Sequence, residues 1–185
     1  MELKLMHKMN FTPFPTLTTE HLCLRQITLE DLNEFFILKS DIRLLKHYNG
    51  KAKTYEEAKQ FLYKITDEIV KNEWILWGIT LNNENRIVGS ICFWNVSEEH
   101  FKAEIGYELM YDQQGKGIMQ EAIIAVIDYG FKHMKLQLIE ALPSLNNTKS
   151  IKLLERNRFI KGSNITETVS SSSLKGVFYT LRNNA

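Results

Sequence analysis

Two carboxylates and a glycine alternate along FKAEIGYELM (Phe101 to Met110): Glu104, Gly106 and Glu108. Strand side chains point to opposite faces in turn, so these three share one face while Ile105, Tyr107 and Leu109 share the other. A carboxylate beside the room a glycine leaves can take a proton from an incoming nucleophile. The same alternation also describes a half-exposed strand facing water. Glu108 fits that plain reading; Glu104 is the candidate general base.

A second chemical feature follows directly. In YDQQGKGIMQEA (Tyr111 to Ala122), Gly115 and Gly117 bracket Lys116 between a strand pattern and a strongly helical one. Glycine lets the backbone curl and lets a ligand approach without meeting a Cβ. The free N–H groups and dipole of a helix start then favour an anion such as phosphate. A nucleotide P-loop needs Ser or Thr after its Gly-Lys, where this chain has Gly117. A dinucleotide fingerprint needs a small residue where Gln120 stands. A tight turn into a helix fits the loop as well as an anion cradle does, and the loop alone does not choose.

The elements that must carry these residues are legible along the chain. HLCLRQI (His21 to Ile27) alternates as a strand, and Thr28 is placed to cap a helix through TLEDLNEFFILKS. Thr54 with Glu57 has the capping-box spacing for a second helix. Trp74 to Leu81, Arg86 to Val96 and Phe101 to Met110 read as an antiparallel meander. Ile118, Ala122, Ala125, Val126 and Tyr129 recur at helical spacing after the glycines. Leu136 to Leu142 is a strand, NTKSIKLLERNRF an amphipathic helix, and Phe159 to Arg182 a final hairpin around Ser170 to Ser173. The expected class is α+β, a mixed and mostly antiparallel sheet of about six or seven strands flanked by helices.

Length and charge bound the function. The 185 residues suit one domain over 1–185, with 1–18 an N-terminal extension. A net charge of +1 gives no bulk reason to seek nucleic acid or an anionic membrane. Cys23 and Cys92 read as reduced buried thiols, and the five histidines are scattered without metal-ligand spacing. No export segment or membrane span is apparent, so a cytoplasmic protein is expected, with no metal and no membrane partner.

Taken in order, LCLRQITLEDL, RIVGSICFW with AEIGYEL, DQQGKGIMQEA and NTKSIKLLERNRF resemble the GNAT superfamily of acetyl-CoA-dependent N-acetyltransferases. Within it they are most similar to the ribosomal-protein N-acetyltransferase (RimJ/RimL-like) branch, over about His21 to Phe159. The resemblance implies the acyl-CoA N-acyltransferase fold, with a sheet splayed where coenzyme A binds, and acetyl-CoA as co-substrate without a metal. It implies that backbone N–H groups from Gln114, Gly115, Lys116, Gly117 and Ile118, with Met119, bind the pyrophosphate. It also implies that the main chain of Leu109 and Tyr111 pairs with the pantetheine arm, that Asn147 bonds the arm, and that Ser150 sits near the sulfur. Lys116 and Lys149 are expected near the nucleotide's phosphates. Three departures stand out: Asp112 opens the loop, Arg158 replaces a glycine, and Leu154 occupies a position where many relatives carry a tyrosine acid.

The implied reaction is direct attack of an amine on the thioester. At neutral pH an α-amino group, pKa ~7.7–8.0, deprotonates for about 1 kcal/mol, whereas a lysine amine near ~10.4 needs roughly 4–5. The resemblance to the ribosomal-protein branch implies a protein or peptide N-terminus as the acceptor, with small amines (polyamine, amino acid, antibiotic) or a non-catalytic acyl-CoA-binding module as alternatives. Residues 44–55 and Ser170 to Lys175 are placed to select the acceptor, and Tyr48, Tyr55, Trp74, Trp77 and Trp94 line its pocket or fill the core. A monomer or homodimer is expected.

Overall fold

The computed structural model of the chain describes residues 9–47, 51–169 and 172–183. Tyr48 and the serines at 170 and 171, singled out above, lie outside them. The described strands are β1 (Leu17–Thr18), β2 (Leu22–Gln26), β3 (Ile75–Leu81), β4 (Ile87–Ser97), β5 (Lys102–Leu109), β6 (Leu138–Ala141), β7 (Ile160–Val169) and β8 (Ser172–Arg182). The helices are α1 (Leu32–Ser40), α2 (Ile42–Leu45), α3 (Tyr55–Val70), α4 (Ile118–Lys132) and α5 (Thr148–Arg156).

The strands form one eight-stranded sheet in the order β1-β2-β3-β4-β5-β6-β8-β7. This exceeds the expected six or seven because β1, only two residues long, offers no alternation to read. Residues 9–18 are built into this structure: Met9 and Phe11 are buried, and the Pro15 carbonyl accepts a 2.7 Å bond from the Trp77 indole.

Local signals account for the ends of the elements. Thr54 and Glu57 cap α3 reciprocally, with bonds of 3.2 and 2.7 Å. Thr28 caps a short 3₁₀ turn over Leu29–Asp31 in the same way, Asp31 returning the bond. Asp31 also takes both ends of the Arg25 guanidinium, at 2.7 and 2.8 Å, and so ties β2 to the start of α1.

Strand register sorts the side chains onto two faces. Trp77, Ile91, Phe93 and Ile105 lie under α4, whose Gly130 comes so close to Phe93 that a Cβ there would stand 2.9 Å from the ring. Ser90, Cys92, Trp94, Glu104 and Glu108 lie on the other face, beneath α1 and α3. There Lys39 of α1 pairs with Glu108, which also accepts a 2.9 Å bond from Ser90. Glu108 thus belongs to a half-buried ion pair and is not a water-facing strand residue.

One junction departs from the antiparallel pattern. β5 and β6 run parallel and pair only at Lys102–Leu138, Ala103–Ile139 and Glu104–Glu140. β6 ends at Ala141 while β5 continues to Leu109, so the strands part beyond Glu104. Among the described residues no helix is long and apolar enough to cross a membrane.

Candidate active site

A groove of about 660 Å³ opens where the two strands part. It is lined by the outer half of β5, the glycine loop, the first turn of α4, α5, and the end of α2 with the residues after it. Of the residues expected at the site, Leu109, Tyr111, Gln114, Gly115, Gly117, Ile118, Met119, Asn147, Lys149 and Ser150 all line it. Two expected residues are not in its lining. The Lys116 ammonium bonds Gln113 at 3.0 Å, and Glu104 stands on the α1/α3 face at the last rung before the strands diverge.

The glycine loop has the geometry of an anion cradle. Gly115 and Gly117 have φ of +82° and +83°, a left-handed conformation that strains any residue with a Cβ. A Cβ at either would meet nothing within 4 Å, so packing does not demand glycine there and the space beside the backbone is open. Gly117 is the N-cap of α4 and offers no side chain to the helix's first amides, which leaves them to a ligand.

Side chains around the loop are already organised. Gln114 donates to the Leu109 carbonyl at 3.2 Å and accepts from Lys149 at 3.0 Å. The Tyr111 carbonyl accepts from the Gln114 amide at 3.4 Å. The Leu109 and Tyr111 carbonyls each accept one of these bonds, and a carbonyl oxygen has two lone pairs. Asn147 caps α5 by accepting from the Ser150 amide at 3.1 Å, which leaves its NH₂ as the end able to face a ligand.

Across the opening, the Tyr107 hydroxyl meets Ser150 Oγ at 2.8 Å. Burial pushes the Tyr107 phenol up to about 12, against a smaller opposing effect of the serine, so it keeps its proton. Leu154, at the position noted for a tyrosine acid, is fully buried in the core.

The groove's charge is concentrated. Arg43, Lys46, Lys149, Lys152 and Arg156 line it against the single carboxylate of Glu108, which is paired with Lys39. Two of these cations approach the Tyr111 ring, Arg43 at 4.5 Å and Lys149 at 5.8 Å from its centroid. Lys149, Lys152 and Arg156 recur at the spacing of one helix face, a signal present in the sequence. Arg43, Lys46 and His47 carry no such signal, because the fold brings α2 to the groove. Burial first, then Lys46 and Lys149, hold the His47 imidazole below its ordinary value. The described residues contain no group of three or more His, Cys, Asp or Glu placed to hold a metal.

Residues 21–160 match the profile of the "Acetyltransferase (GNAT) domain". The uncharacterized N-acetyltransferase p20 of Bacillus licheniformis is 35% identical over 147 residues, 79% of this chain and 83% of its own. The structure is similar to an acetyltransferase of the GNAT family from Bacillus anthracis, with TM-score 0.80 and 25% identity, covering 91% of this chain and 98% of that one. It also shares its fold with RimL, a ribosomal L7/L12 α-N-protein acetyltransferase in complex with coenzyme A, at TM-score 0.81 and 17% identity, over 91% and 98% of the two chains.

Proposed function

Because the chain belongs to the GNAT acetyltransferase family, an N-acetyltransferase drawing on acetyl-CoA, we propose that its acceptor is the α-amino group of a protein or peptide N-terminus. The observation that carries the reading is the parting of β5 from β6. The cation-lined groove opens beyond the last paired rung, and Glu104 stands on that rung, on the face beneath α1 and α3. In this reading the donor occupies the groove and the acceptor amine comes to the Glu104 side of it. RimL, which shares the fold, is by name an α-N-protein acetyltransferase, and this supports the choice among amines.

The residues fit the donor. The uncapped α4 start and the positive-φ glycines suit a pyrophosphate, and Lys149 with its cationic neighbours suits the remaining phosphate charge. When bound, acetyl-CoA supplies a thioester carbon open to attack and a thiolate leaving group. Glu104, directly or through a water, takes the proton that the ammonium must lose. Ser150 offers its hydroxyl hydrogen to the departing sulfur. A thiol of parent pKa ~8.5 leaves with that modest help, so the leucine at 154 is compatible with turnover.

The test is a turnover screen of acetyl-CoA against peptides differing in their first residue, alongside polyamines, amino acids and aminoglycosides. The expected result is acetylation of a subset of peptides in preference to the small amines. A preference for a small amine overturns the acceptor. Tight CoA binding without turnover against the whole panel assigns a non-catalytic module instead. A folded Gly117→Glu variant is expected to bind CoA at least tenfold more weakly by calorimetry, through lost access to the cradle and a carboxylate beside the phosphates, while backbone strain of roughly 1–2 kcal/mol lowers its folding stability.

A further inference from the structure

The Tyr107–Ser150 contact joins β5 to α5 across the open side of the sheet, between residues 43 apart in sequence. Ser150 is otherwise fixed through its backbone, whose amide is held by the Asn147 side chain. Its hydroxyl differs from those of Ser40 and Thr66, which bond the carbonyl four residues earlier in their own helices at 2.8 and 3.0 Å. Ser150 instead uses its oxygen toward Tyr107. A phenol is the more acidic of the two hydroxyls and so the stronger donor, and an aliphatic hydroxyl oxygen is the better acceptor.

Resting on the acetyl-transfer reading of the groove, we infer that Tyr107 is a positioning residue: it donates to Ser150 Oγ and thereby turns the Ser150 hydrogen into the groove, toward the donor's sulfur. Both residues line the groove, and the bond between them lies beyond the last paired rung of β5 and β6. Tyr107 stays protonated through the working pH range and itself gives up no proton. Position 154 carries a leucine, packed in the core, and so offers no hydroxyl to the site. A serine whose rotor is locked supplies the hydrogen bond. No covalent step is added: the hydrogen bond stabilises negative charge on sulfur, and the thiolate is protonated from solvent on release.

A hydrogen bond donated to a thiolate lowers the thiol's pKa, so the probe is coenzyme A itself, bound to the protein and titrated by its thiolate ultraviolet absorbance. Bound to the wild type, the thiol should titrate about one unit below free CoA. Ser150→Ala and Tyr107→Phe should each return it at least halfway, with CoA affinity within about threefold of wild type. Lys149 and the other groove cations are common to every variant and cancel in the comparison. With an acceptor from the screen, kcat should fall about tenfold in Tyr107→Phe with the acetyl-CoA KM nearly unchanged, and Tyr107→Phe should add nothing to Ser150→Ala. If the phenylalanine variant does not fold, Tyr107→Met removes the same hydroxyl and is read in the same way. An unchanged thiol titration in the Tyr107 variant, or losses that multiply in the double variant, overturns the inference and leaves a structural strut. Failure of the wild type to bind CoA at all overturns the reading of the groove, a separate outcome.

Discussion

Glu104 and Ser150 occupy opposite faces of the sheet, one at the last rung before the strands part and the other in the first turn of α5 beyond it. A base and a hydrogen-bond donor so placed act on different partners, the acceptor nitrogen and the donor sulfur. Gly106, between the two carboxylates of its face, is closely packed: a Cβ there would stand 3.2 Å from the Cys92 sulfur and 3.7 Å from the Trp94 indole nitrogen. Glu108 is bound by Lys39 and Ser90. Removing the charge at Glu104 tests its part. Glu104→Gln is expected to lower kcat near pH 7 by about 10²-fold. The loss should shrink at higher pH, where more amine is already deprotonated, while acetyl-CoA affinity stays unchanged. Wild-type rates across pH 6–9 would remove Glu104 from the mechanism.

At the scale of elements, the caps hold the framework that the groove depends on. Asp31 closes the capping box of the 3₁₀ turn and takes the Arg25 fork from β2, so one carboxylate joins two elements. Burial alone pushes its carboxyl up, but the bonds from Arg25 and Thr28 outweigh it and hold the carboxyl below its ordinary value. A depressed folded value means the contribution is present above the unfolded pKa near ~3.9 and is lost as pH falls through the folded value. Asp31→Asn is therefore expected to cost about 1.5–3 kcal/mol at pH 7 by urea unfolding, the range for hydrogen bonds to a charged group. The wild-type and variant stabilities should converge as the pH drops below that of an ordinary carboxylate. A constant difference down to pH 2 would contradict the assignment.

For the whole molecule, charge placement matters more than total charge. The net charge is +1, yet five of the groove's lining residues are lysine or arginine and its one carboxylate is paired. Such a local field attracts a polyphosphate although the protein as a whole is near neutral. Raising salt from 50 to 500 mM should weaken CoA binding about fivefold or more, because the Debye length shortens below the span of the cluster. The dependence should flatten in Lys149→Met/Arg156→Met. Salt-independent binding would mean that these cations do not meet the ligand's phosphates.

Much of this protein follows from sequence alone, because the rules involved are local. Thr28 and Thr54 cap where their spacing says; Ile118, Ala122 and Val126 of the expected α4 face are buried, with Met119, Ile123 and Gly130 beside them, and the β5 alternation holds at Ala103, Ile105 and Leu109 but not at the partly exposed Tyr107. The glycines at 115 and 117 take the positive φ that their types permit. The order of motifs also pointed to the family. Two-residue β1 and four-residue α2 escaped because so few residues carry no period. The site's working geometry was decided by tertiary structure. Which face Glu104 takes relative to Ser150, where β5 leaves β6, and how Arg43 arrives opposite Lys149 all depend on strand register and helix docking. So does the meeting of Tyr107 with Ser150. Local sequence sets side-chain direction within each element; only long-range pairing sets which of those directions converge on one opening.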